Sequence, residues 1–209
     1  MGEKTKNVLL SVLVVGLVSM TVAYAALSQT LNINGSATVQ NVASSWKVRF
    51  KSLTSGTAIT PSGYASVTGN VTSISIPEDS TSVTLPAATL KAPGDKVVYK
   101  WLVANDGDIN AKITTAPILA LGEPTCDGGC VGEGKVFATE TDKTNFLSKI
   151  NVSLVYDDTD TAPAVDDALN AGATRTLKAT IELDSSATTL PASDVSFTGI
   201  NAHMIYGQN

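Results

Sequence analysis

The sequence predicts an all-β protein, an antiparallel β-sandwich with short helical insertions, set behind a cleavable signal helix. Three observations carry this. Short runs of β-branched and aromatic residues alternate with polar ones along most of the chain, which is the period-2 pattern of half-buried strands. Pro, Gly, Asn and Asp interrupt those runs at short intervals, as the turns of a sandwich do. Residues 1–26 follow a different rule, with two lysines, an apolar run and then small residues.

That leading segment reads as an export signal. Lys4 and Lys6 precede the almost unbroken apolar stretch from Val8 to Val22, and Ala23-Tyr24-Ala25-Ala26 follows it. Charged, apolar and small-residue regions in this order describe a secretory signal peptide. The apolar run is short for a spanning helix, which needs roughly 20 residues. Ala23 and Ala25 satisfy the small-x-small rule, which places cleavage after Ala25, with a cut after Ala26 as the alternative. A retained pilin-type helix usually carries a Glu near its start, and no acidic residue lies between Glu3 and Glu78. The organisation expected is a signal peptide over 1–26, an extended N-terminal strand over 27–40 and a sandwich domain over 41–209.

The strands follow in order. Leu31-Asn32-Ile33-Asn34 alternates, and its odd phase continues through Gly35, Ala37 and Val39. Trp46-Lys47-Val48-Arg49-Phe50 alternates with its apolar side at even positions, and Ser73 to Ile76 and Ser82 to Leu85 do the same. Val97 to Val103 reads as a central strand between the turns Ala92-Pro93-Gly94-Asp95 and Asn105-Asp106-Gly107. Ala111 to Ile118 continues as strand. Thr141 to Ile150 carries a helix signal, with Asp142 as a cap and Phe146, Leu147 and Ile150 on one face. Asn151 to Tyr156, Thr174 to Leu183, Val195 to Phe197 and Ala202 to Tyr206 complete the strands. Two packed antiparallel sheets are expected.

Composition and motifs exclude more functions than they suggest. A net charge of −5 argues against nucleic acid, which calls for clustered Lys and Arg. Cys126 and Cys130 sit in Cys-Asp-Gly-Gly-Cys. An oxidising exterior favours a local disulfide, against two free thiols or a two-ligand metal site lacking the four ligands zinc wants. The one histidine, His203, lies in a strand, where packing is the ordinary role. No zinc-binding His pair, nucleophile elbow or phosphate-cradling loop occurs, so no catalytic, cofactor-binding or metal residue is expected. Asp157, Asp158, Asp160, Asp166 and Asp167 read as a solvated acidic loop, with calcium binding as the alternative. Leu27 to Val39 is uncharged, and Leu27, Leu31, Ile33, Gly35, Ala37 and Val39 share one face. Such a strand either completes a neighbouring subunit's sheet or pairs within its own domain.

Several of these segments together resemble a known family. They are Ala23-Tyr24-Ala25-Ala26-Leu27, Leu31-Asn32-Ile33-Asn34-Gly35, Trp46-Lys47-Val48-Arg49-Phe50 and Pro93-Gly94-Asp95-Lys96, then the more specific run Val103 to Lys112, Leu169 to Leu177, and Ile205-Tyr206-Gly207-Gln208. In that order they resemble the TasA/camelysin family of secreted proteins, the biofilm-matrix fibre subunits of Gram-positive bacteria and their relatives. The resemblance implies a jelly-roll-like sandwich, processing by a dedicated signal peptidase, and an extracellular fibre in which the N-terminal segment of one subunit adds as a strand to the next. It implies copies of the chain as partners, with a related minor subunit beside them. Camelysin-like relatives have been labelled metalloproteases, but this sequence has no zinc-binding His pair. It also carries no sortase signal, so covalent wall anchoring is not expected. The competing expectation is a monomeric surface domain for adhesion or ligand binding.

Overall fold

A computed structural model of the chain describes residues 29–32, 47–77, 80–81, 83, 85–122, 124–126, 129–188 and 190–208. These form strands in three antiparallel sheets with one α-helix and one 3-10 turn. The first sheet has the order β1 (Gln29–Asn32), β13 (Asn201–Gln208), β7 (Ala111–Ala120) and β10 (Ala168–Leu169). In the second, β2 (Val48–Lys51) and β3 (Ile59–Ser62) share one side of β6 (Lys96–Asn105), followed by β11 (Thr174–Leu183) and β9 (Ile150–Tyr156). The third, smaller sheet runs β4 (Ser66–Val67), β5 (Ala88–Leu90), β12 (Val195–Phe197) and β8 (Pro124–Thr125).

One core joins the three sheets. Alternation supplies it directly. On β6, Val97, Tyr99, Trp101 and Val103 are buried, while Val98, Lys100 and Leu102 are only partly covered. β11 contributes Leu177, Ala179, Ile181 and Leu183, and the first sheet adds Ile113, Ala202, Met204 and Tyr206. Phe50 meets Trp101 edge-on, with ring centroids 6.4 Å apart. This is a favoured arrangement for aromatic pairs. The helix α1 (Glu140–Leu147) packs Phe146 against Phe137 and Phe197, at 5.4 and 6.4 Å.

The described residues form three sheets where the sequence led to an expectation of two, because the short strands β4, β5, β8 and β12 pair only with one another, and the structure departs from expectation in local detail as well. Residues 73–76 are not a strand. Ile74 is buried as its alternation predicts, but the segment is held by the Ser52 hydroxyl, which donates to Ile74 O and accepts from Ile76 N. Val83 and Leu85 likewise lie outside any strand, although both are buried, and the residues between and before them in that expected strand lie outside the described residues. The helix cap is Thr139, not Asp142. Thr139 accepts from Asp142 N, while the Asp142 carboxylate accepts from Thr139 N, a reciprocal capping box that satisfies two orphan donors.

Candidate assembly edge

β1 lies at the edge of the first sheet, and β13 is its one strand neighbour among the described residues. The ladder is antiparallel, with Gln29 opposite Tyr206, Leu31 opposite Met204 and Asn32 opposite His203. Met204 and Tyr206 are buried, so this edge borders the core. β13 in turn pairs with β7, with register shifts on either side of Ile205. Thr114 Oγ1 donates to Ile205 O at 3.2 Å there, and a Cβ on Gly207 would meet Thr114 Cγ2 at 2.6 Å. A side chain at 207 would therefore force the Thr114 side chain to turn away from β13.

Of the residues assigned to an inter-subunit strand, Leu31 is on β1, paired within its own chain. Leu27, Ile33, Gly35, Ala37, Val39 and the cleavage positions Ala25 and Ala26 lie outside the described residues. The sulfurs of Cys126 and Cys130 are bonded, 2.11 Å apart.

Three of the resemblance motifs meet at one corner. Asn105 ends β6 and is fully buried. Its Nδ2 donates to Ile109 O at 2.8 Å and Leu169 O at 2.9 Å, and its Oδ1 accepts from Gly107 N. Its backbone N–H donates to Ala173 O and its carbonyl accepts from Gly172 N. Asn110 Oδ1 accepts from Ala171 N. Next to this corner, Asp106 takes hydrogen bonds from Arg49 and Lys51 of β2, and its own N–H donates to Lys47 O. Partial burial pulls the Asp106 carboxyl upward, but the Lys51 and Arg49 hydrogen bonds and charges outweigh it and hold it below the ordinary range. Asp95 does a similar job at the Pro93-Gly94-Asp95 turn. It is 2% exposed and accepts from Tyr64 N, Lys91 N and Ala92 N, and a Cβ on Gly63 would run into its Oδ1. The sequence marks these positions only as turns. Nothing in it shows that their side chains tie distant segments together.

The acidic loop is neutralised by its own neighbours. Lys100 Nζ donates to both Asp157 oxygens at 2.7 and 2.8 Å, Lys178 pairs with Asp160, Arg175 with Asp158, and Lys112 with Asp166 at 2.7 Å. Asp167 accepts from Ala164 N. Among the described residues no group of three or more His, Cys, Asp or Glu converges as a metal site. The Arg175 guanidinium lies 3.3 Å from the Tyr156 ring centroid, a cation–π contact. Burial and the neighbouring Asp167 push the Tyr156 hydroxyl well above its ordinary pKa. His203 is partly buried on β13, opposite Asn32. A cavity of about 400 Å³ lies beside Glu133, Lys135, Phe137, Asp142 and Leu190. It has no histidine or cysteine to act as base or nucleophile.

Comparison of the chain with known protein families, characterised proteins and solved structures finds no match.

Proposed function

We propose that the chain is a secreted structural subunit, a jelly-roll-like sandwich released from its signal helix after Ala25 or Ala26 and assembled outside the cell by strand addition. The observation that carries this is the place of β1. It is an edge strand bound through the backbone to β13 alone among the described strands, and β13 reads the same strand from a neighbouring copy equally well. Exchange of β1 between copies links them head to tail, and a heterologous contact of that kind runs on into a filament. The bonded Cys126–Cys130 pair fits an oxidising location.

Electron microscopy of the purified mature protein tests the reading, with Leu31→Asp/Ile33→Asp alongside. Filaments from the natural sequence, and folded protein without filaments from the double variant, are the expected result. Filaments from both discard strand addition through this segment. The pairing of β1 within its own chain favours a second reading, a monomeric surface domain. On that reading the natural sequence gives dispersed particles, and the double variant is destabilised.

A further inference from the structure

A sheet edge presents unpaired backbone groups, and proteins guard such edges by shortening, charging or breaking them. Most edges here are guarded. β4, β8 and β10 are two residues long. β2 and β3 are bonded on the side away from β6, through Phe50 N to Ser80 O and Ile59 N to Thr72 O. The half of β7 beyond β10 contains Pro117, which has no N–H to offer. β1, at four residues, is the edge already assigned to strand exchange, and among the described residues β9 is the long unguarded edge that remains. It is seven residues long, INVSLVY, without proline, glycine or charge.

The direction of its free groups follows from two hydrogen bonds. Asp157 N donates to Thr176 O at 2.9 Å, and Asp184 N to Lys149 O at 2.8 Å. In an antiparallel ladder the bonded pairs alternate, so the odd residues of β9 face β11. The N–H and C=O of Ile150, Val152 and Leu154 then point away from it. Tyr156, next in phase, is closed by its own loop, since its N donates to Thr161 O and its O accepts from Asp160 N. Among the described residues no hydrogen bond takes up the backbone of Ile150, Val152 or Leu154. Beside this edge runs a shallow apolar groove of about 210 Å³, lined by Leu121, Gly122, Pro124, Leu147, Ile150 and Val152.

We propose that β9 pairs antiparallel with β9 of a second copy, about a two-fold axis through Val152. The three free residues are evenly spaced with Val152 in the middle. Pairing Ile150 with the partner's Leu154, and Val152 with the partner's Val152, therefore leaves no free group on either strand and forms about six backbone hydrogen bonds. The ends of the edge differ in charge, and although the aspartates are already paired with Lys100, Arg175 and Lys178, two of them stay open to solvent and so to a second copy's lysine. Lys149 stands at one end, and Asp157, Asp158 and Asp160 at the other, with the Asp158 and Asp160 side chains 63% and 75% exposed. Antiparallel pairing sets each Lys149 diagonal to the partner's Asp157, within reach of a long side chain. The apolar side chains of both strands then close over the groove beside Leu121 and Leu147. The contact is symmetric and does not depend on strand exchange at β13.

Cysteine cross-linking in the full-length protein tests it. On the axis, residue 152 meets its own copy with Cα atoms about 5.5 Å apart, within disulfide range, and Cys126 and Cys130 are already bonded to each other. Mild oxidation of Val152→Cys is expected to give mostly dimer on a non-reducing denaturing gel. Ile150→Cys and Leu154→Cys stay monomeric alone and cross-link when mixed. Filaments do not imitate this pattern, because only a residue on a two-fold axis finds itself. Equal dimer yield at all three positions, or none at Val152→Cys, overturns the proposal. So does a natural protein that sediments as a monomer throughout the micromolar range.

Discussion

Replacing Asn105 with Asp changes one side-chain nitrogen to oxygen and almost nothing in shape. At this site the change is severe, because Nδ2 is the shared donor for Ile109 O and Leu169 O, at 2.8 and 2.9 Å, in a residue that is 0% exposed. Two neutral hydrogen bonds at about 1 kcal/mol each are lost. The new oxygen also faces two carbonyls, and a buried carboxylate without a partner costs more again. The sum is about 3–5 kcal/mol at pH 7. With a urea slope of about 2 kcal/mol/M, the unfolding midpoint moves down by about 1.5–2.5 M. The sign of the pH dependence follows. Burial and the two carbonyls raise the folded-state pKa of Asp at 105 above its unfolded value of about 3.9. The folded state therefore holds the extra proton, and the variant loses stability as pH rises above that value. At pH 4 the protonated carboxyl donates to one carbonyl and part of the loss is recovered. Urea titrations at pH 7 and pH 4, followed by the fluorescence of the buried Trp101, read both effects against the natural protein. A midpoint shift below about 0.5 M, or an equal penalty at both pH values, refutes the assignment of Asn105 as the tie at this corner.

Two further substitutions test neighbouring claims. Asp106 has a depressed folded pKa, so its pairing with Arg49 and Lys51 stabilises at neutral pH and is lost as pH falls through that value. Asp106→Asn is expected to cost about 1 kcal/mol at pH 7, and the gap to the natural protein is expected to narrow as pH falls below the ordinary carboxylate range, as read by urea midpoints at each pH. Thr139→Ala removes the reciprocal cap and costs about 1 kcal/mol. Hydrogen exchange should quicken first in α1.

Long strands were legible because alternation is a statement about burial over many residues. β11 begins and ends where its pattern does, at Thr174 and Leu183. Among the strands of two to four residues, β2 and β12 showed in the alternation, whereas β3, β4, β5, β8 and β10 carry no period of their own. Residues 73–76 misled for a related reason. Alternation reports that Ile74 is buried but not what satisfies the backbone, and here the Ser52 hydroxyl does that work. Asp95 and Asn105 looked like ordinary turn residues, since the backbone groups they bind belong to segments as remote as Tyr64 and Leu169. The free edge of β9 was invisible for the opposite reason. It is defined by the lack of a second strand neighbour among the described residues, which no local pattern records.

The ladder between Gln29–Asn32 and His203–Tyr206 joins segments about 170 residues apart. Contacts of such separation form late, because the loop must close before the pairing is gained. Protein synthesis widens that delay. At about 5–20 residues per second, the first strand precedes its own partner by about ten seconds or more. Throughout that interval the first strand is without its own partner, and the sheet it borders closes only when His203–Tyr206 arrive.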